Sequence, residues 1–458
     1  AMESIGYGAF GSCYSLRQMV IPFAGGEALA VGGAESEATL FGYIFGNERA
    51  AMEEIENAYK SALEAKYNEL YNAAWAEYQT EHPQATNAEI VAHMNSIEAA
   101  LHQEAANAVS KGTLDHRLYE VTQTYDGTTA HTYTYYLPVA LTKIVMTGGD
   151  VIGYGAFQNV ANLTEITLYS NLKEIHDYAF DGCKKLGAIL IPSTITSVGK
   201  YAFQDNHALE IVTFDCVDES ALLKVINEGT FRNCYKLNNL VLPMTITRIG
   251  NSAFESCISL SKTNGSIDPF MLPESIEEIE AYAFYNCTSL YDFVVPYANT
   301  YSIGYAAFGR CTGLEKLTLP FAGGKESETG EYDPITVFGY LFGTENEFDH
   351  ETYAEGAVRP HGDKIPSSMA GLTRVSVGFE EDIVNESYLG TYFYIPTKLV
   401  HVVLENTKAQ IIADYAFYDN RVLETLDTPK GADIDKSSVS GIGKYALAYT
   451  TKLKNMNS

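Results

Sequence analysis

The stretch IHDYAFDGCKKLGAILIPSTITSVGKYAF, residues 175–203, carries Tyr-Ala-Phe twice, which places Phe180 and Phe203 23 residues apart. Between them Leu186, Ile189 and Ile191 follow L-x-x-I-x-I, which alternates from its fourth residue as a strand with one buried face does. Pro192 comes next; without an N–H it ends a strand ladder and turns the chain. Outward from this stretch the same phenylalanine recurs at Phe157, Phe231, Phe254, Phe284 and Phe308, and Phe10, Phe417 and the variant Leu447 extend the series.

The strand motif keeps step with it as Leu163/Ile166/Leu168, Leu209/Val212/Phe214, Leu237/Leu240/Leu242, Leu290/Phe293/Val295 and Leu314/Leu317/Leu319. A unit of about 23 residues cannot close a core alone, but side-by-side stacking lets each rung of Leu, Ile and Phe cover the next. The pattern predicts a solenoid of about twelve coils with parallel strands, flanked by short strands and turns. Units reading I-G-x-x-A-F-x-x-C-x-x-L-x-x-I-x-I-P resemble the leucine-rich repeat class, and specifically the BspA-like repeats of bacterial surface proteins. The resemblance covers about two thirds of the chain. It implies a leucine-rich repeat solenoid, of the α/β repeat class but built mostly of short strands and turns. It also implies an extracellular address on a bacterial cell surface and a role in adhesion.

Six of the seven cysteines, Cys13, Cys183, Cys234, Cys257, Cys287 and Cys311, fall three residues after the repeat phenylalanine. Val160, Asn206, Asn420 and Thr450 hold that place in other coils, so the position asks for a small side chain that can satisfy a backbone turn. Disulfides are the competing reading, because four consecutive coils carry a cysteine there. Stacked strands lie ~4.7–4.9 Å apart with side chains parallel, wider than the ~3.8 Å Cβ separation of a relaxed bridge. No C-x-x-C pair supports zinc. The six are expected to be reduced and buried; Cys216 stands out of register.

The chain also repeats on a larger scale. IGYGAFGSCYSLRQMVIP (residues 5–22) and IGYAAFGRCTGLEKLTLP (303–320) are near copies, each followed by F-A-G-G and then by F-G-Y-x-F-G at Phe41 and Phe338. Both of those later strings open a coil whose strand resumes only at Leu141/Ile144/Met146 or Leu399/Val402/Leu404. The chain therefore divides into solenoid (1–46), a helical hairpin insertion (47–131), solenoid (132–321), a polar irregular insertion (322–396) and solenoid again (397–458).

From Glu48 to about Thr80 the residues Met52, Ile55, Tyr59, Leu63, Tyr67, Leu70, Ala74 and Tyr78 recur at three and four, which predicts a helix ~50 Å long. Pro83 breaks it, Thr86 and Glu89 form a capping box, and Ile90, Met94, Ile97, Leu101, Ala105 and Ala108 make a second stripe that ends at Gly112. Trp75, the only tryptophan, either packs on the second helix or anchors a protein interface. His93 and His102 are expected on solvated helix surface. The second insertion is rich in Gly, Asp and Glu (GGKESETGEYDP, TENEFDHETYAEG); its carboxylates suit Ca²⁺, but the loop grammar D-x-[DN]-x-[DN]-G is missing.

With 58 acidic and 30 basic residues the chain carries −28, a surface that repels phosphate backbones and anionic lipid, so no nucleic-acid partner and no direct membrane insertion is expected. The opening AMESIGYGAF is not a signal peptide and starts inside the pattern, so the chain is expected to be a piece of a longer protein whose export signal and anchor lie elsewhere. Without G-x-S-x-G, H-E-x-x-H or a phosphate-cradling glycine loop, no catalytic residue, cofactor or metal is assigned. Function then rests on the outward strand positions: Gln18/Val20, Lys143/Val145, Glu165/Thr167, Ala188/Leu190, Ile211/Thr213, Asn239/Val241, Asp292/Val294, Lys316/Thr318 and His401/Val403. The second member of every pair is β-branched or leucine, a narrow apolar stripe that β-propensity alone also explains. The expected function is a non-enzymatic scaffold that binds proteins or glycans of a host or neighbouring cell; the alternative is a structural spacer or stalk presenting other modules.

Overall fold

The repeat phenylalanines form one continuous stack. In a computed structural model, which describes residues 2–47, 50–109, 118–125, 131–263, 269–344, 370–376, 392–405, 410–428 and 439–457, the rings of Phe157, Phe180, Phe203, Phe231, Phe254, Phe284 and Phe308 lie 5.1–5.9 Å apart and within 11° of parallel. All are buried. Burial of each such ring contributes about 1.5–3 kcal/mol. That gain exists only because a neighbouring coil covers the ring.

Beside the stack runs a parallel sheet. Its first part comprises Gln18–Ile21, Lys143–Met146, Glu165–Thr167, Ala188–Ile191, Ile211–Phe214, Asn239–Leu240 and Lys262–Thr263; its second comprises Phe270–Met271, Asp292–Val294, Lys316–Leu319, His401–Leu404, Thr425–Asp427 and Asn455–Asn457. Lys262–Thr263 and Phe270–Met271 belong to one coil, so the described residues make twelve coils. A second column of two- to four-residue strands, such as Val151–Ile152, Glu174–Ile175 and Ser197–Val198, pairs in parallel on the other flank. This is the solenoid expected from the spacing, in the leucine-rich repeat form that the resemblance implies.

Each phenylalanine turn also holds two residues in the left-handed region, two before and two after the ring. Tyr178, Tyr201, Tyr282 and Tyr415 take the first place and Asn159, Asp205, Asn233 and Asn286 the second, with φ between +55° and +60°. The turn lets coils bond to each other through the backbone, as when Phe180 N donates to Ala202 O at 2.8 Å.

The cysteine column has a direct geometric reason. Cys183, Cys234, Cys257, Cys287 and Cys311 are buried, and each thiol donates to the phenylalanine carbonyl one coil back (Phe157, Phe203, Phe231, Phe254 and Phe284) at 3.1–3.2 Å. No cysteine is disulfide-bonded. Cys13, in the first described coil, departs from the expectation and is exposed. Asn206 occupies the same column fully buried, with neither its amide nitrogen nor its oxygen partnered. Restoring the repeat's thiol with Asn206→Cys removes two buried unpaired groups, and a gain of about 1–2 kcal/mol is expected in denaturant unfolding. A loss of stability would show that the column does not work as described.

The insertions hold more order than their composition suggests. Helix α1 (Ala50–Glu81) and helix α2 (Asn87–Ala108) form the expected αα-hairpin, with the Thr86–Glu89 capping box in place. Residues 110–117 lie outside the described part. After them Leu118–Tyr125 pairs antiparallel with His131–Pro138, so the boundary expected at 131 falls on a β-hairpin. The second insertion, expected as an irregular loop or a small subdomain, is not wholly irregular. It contains the antiparallel pair Leu372–Ser376 and Tyr392–Pro396, while the acidic run at 345–356 lies outside the described residues. The two hairpins return to their coils alike: Tyr136 N donates to Gly46 O, and Tyr394 N to Gly343 O. Tyr135 and Phe393 thereby press on Gly42 and Gly339, the glycines of the two F-G-Y strings.

Candidate binding face

Strand alternation sends one set of side chains into the phenylalanine stack and the other outward, and the parallel register aligns the outward set in two rows. In one row Val20 pairs with Val145, Val145 with Thr167, and Leu190 with Thr213. Consecutive strands ~4.8 Å apart give that row a length of about 19 Å over five coils. Val20 is 68% exposed and Leu190 53%. In the other row Gln18, Lys143, Glu165, Ala188, Ile211 and Asn239 stand in register. Lys143 Nζ reaches Glu165 Oε1 at 2.6 Å, and Ile211, also exposed, widens the apolar strip beside Leu190. The side chain of Asn239 is outside the description, and Val241 lies half-buried just past its strand.

The second part of the sheet differs. Asp292, Val294, Lys316, His401 and Val403 are half-buried, and their charges are engaged: Lys316 with Asp292 at 3.4 Å, His401 with Asp427 at 2.6 Å. Thr318, expected to face solvent, is only 5% exposed; it is in register between Val294 and Val403, whose branched side chains flank it. Met271, missed in the sequence because its strand is split from Lys262–Thr263, is 50% exposed in the apolar row, opposite Val294. The face is therefore most open at Val20, Leu190, Ile211 and Met271, and it carries paired charges in both parts.

Elsewhere the chemistry is quiet. Among the described residues no three His, Cys, Asp or Glu gather where they would hold a metal ion. Cys216 lies in the extra residues of a 28-residue coil, with its sulfur 3.5 Å from Asp218 Oδ1 and 3.4 Å from Ser220 Oγ; the dimple beside it, lined by Phe214, Leu222 and Pro243, has room for about one water. Lys325 pairs with Asp333 at 2.7 Å within the acidic start of the second insertion. Trp75 is half-buried against the hairpin's own core. His93 and His102, rather than lying free on the helix surface, stack on Tyr78 and Tyr67 at 4.1 and 4.0 Å. No described helix is long and apolar enough to cross a membrane.

A sequence profile for the BspA type leucine rich repeat region matches residues 128–261, 220–324 and 387–458, in six copies. Among solved structures, a leucine-rich repeat protein from Bacteroides ovatus is 20% identical over 69% of this chain and 64% of its own, with a TM-score of 0.40. Another from Eubacterium ventriosum is 25% identical over 42% of this chain and 50% of its own, with a TM-score of 0.33. A leucine rich cell surface protein from Faecalibacterium prausnitzii is 18% identical over 73% and 85%, with a TM-score of 0.31. The chain thus spans less than two thirds of the length of the first two. No curated protein matches it.

Proposed function

Because this chain belongs to the BspA-type leucine-rich repeat family, we propose that it is a non-enzymatic adhesion scaffold on a bacterial cell surface, recognising a protein or glycan chain through its open sheet face. The observation that carries this reading is the row Val20, Val145, Thr167, Leu190 and Thr213, exposed at every position except the half-buried Val145. Its regular ~4.8 Å rungs offer an extended ligand repeated, equivalent contacts, and an exposed apolar strip of this kind is uncommon on a surface without a partner. A spacer would need none of this row.

The test is a binding panel of immobilised host matrix and mucus components, probed with the wild-type chain and with Leu190→Asp. Leu190 points to solvent, so the variant should keep its unfolding midpoint. Placing a carboxylate where an apolar contact forms should weaken capture at least about tenfold. Failure to bind any component, or equal binding by Leu190→Asp, would leave the spacer as the better description.

A further inference from the structure

The helical hairpin has a core of its own, and its two helices are buried in it unequally. On α2 Ile90, Met94, Leu101 and Ala105 are at most 8% exposed, while Ile97 of the same stripe is half-buried and Ala108 exposed. On α1 no member of the facing stripe is sealed among the described side chains, and Tyr67, Leu70, Tyr71, Trp75 and Tyr78 all remain half-buried. The cause is width. Spacing by three and four spreads Tyr67, Leu70, Tyr71, Trp75 and Tyr78 over a stripe wider than one neighbour seals: all pack against the α2 core, and each keeps part of its surface open. Tyr67, Tyr71 and Trp75 recur every fourth residue as a ridge, with ring centroids 5.9 and 6.0 Å apart. The solenoid does not supply the missing cover in this structure, because the hairpin's apolar cluster shares no residue with the main core.

Charge selects among possible partners. From Ala50 to Ala108 there are ten glutamates against Lys60 and Lys66 and no other formally charged residue, and Lys66 is already paired with Glu69 at 2.8 Å. Two such hairpins would meet with the same sign of net charge, which disfavours a second copy as the cover.

We infer that the ridge Tyr67–Tyr71–Trp75 docks a basic amphipathic helix of another protein, which adds a third helix to the hairpin. The guest's apolar face covers the ridge, and its lysines and arginines meet the surrounding glutamates. Aromatic side chains are suited to this role, since they bring a large contact area for few rotatable bonds. The inference stands independently of the sheet face.

Trp75 is the only tryptophan in the chain, so its emission reads this ridge and nothing else. The full chain would be titrated with three synthetic peptides: a Lys/Leu amphipathic helix, a scramble of it, and a Glu/Leu helix of the same pattern. The Lys/Leu helix is expected to shift Trp75 emission to the blue saturably, with Kd at least about tenfold below the scramble's. Tyr67→Ala/Tyr71→Ala, followed by calorimetry, should raise that Kd at least about tenfold. Should that variant lose helicity, the exposed-site variant Glu77→Lys/Glu98→Lys must weaken binding instead. Equal binding of the scramble, equal or tighter binding of the Glu/Leu helix, an emission shift driven by protein concentration alone, or no shift with any peptide would overturn the inference.

Discussion

Gly42→Ala is expected to destabilise the protein by about 3 kcal/mol, although it adds a single methyl group. Gly42 lies in the 3₁₀ turn Phe41–Ile44, and a Cβ on it would fall inside the ring of Tyr135. That ring has nowhere to go: it is fully buried, and its hydroxyl donates to Glu37 Oε1 at 3.1 Å. Gly42 has no left-handed φ, so the cost is steric overlap and not backbone strain. Tyr135→Ala alone should cost about 3–5 kcal/mol, as deletion of a buried aromatic does. In that background Gly42→Ala should be nearly neutral, because the ring it struck is gone. The double-mutant cycle in denaturant unfolding should therefore show a coupling of about 2 kcal/mol or more. Simple additivity would mean that the returning hairpin does not pack on the opened coil. Gly339 and Phe393 repeat the arrangement in the second half and should behave alike.

The second large effect is chemical. Burial pushes the five column thiols up, Cys311 to about 12, so at neutral pH almost none is present as the reactive thiolate. Their modification requires a local opening, and labelling is expected at least about 10³-fold slower than at exposed Cys13. In denaturant all seven should react at similar rates. Mass spectrometry of the labelled chain separates the sites. Fast native labelling of Cys234, Cys257, Cys287 or Cys311 would contradict both the column and its thiol-to-carbonyl bonds.

Both results depend on features of different legibility. The 23-residue period, the L-x-x-I-x-I strands and the Phe+3 cysteines are local patterns, and a stack of like units turns local patterns into tertiary contacts. The hairpin Leu118–Tyr125/His131–Pro138 falls largely where the sequence reads as a helical insertion, although Thr and Tyr dominate its second strand and both favour extended chain. Its contacts are distant in sequence: the buried Gln123 of its first strand accepts from Gly42 N at 2.7 Å and donates to Ala156 O at 2.9 Å. No spacing rule links such positions.

The sheet face was legible only in part. Alternation identified which side chains leave the core, from Val20 to Val403, because the side-chain period of a strand is two and the core face is unmistakable. It could not show that Thr318 is covered, that Met271 is exposed, or that His401 spends its polarity on Asp427. The amino-acid sequence by itself determined the solenoid, its coil count and the identity of its core, since each unit needs its neighbour to bury the same few residues. Only the tertiary structure decided which outward positions stay open, how each interrupted coil is sealed by a returning hairpin, and that α1 keeps a half-buried aromatic ridge. Those outcomes depend on how much surface one element can cover on another, a property of packed shapes that no repeat period encodes.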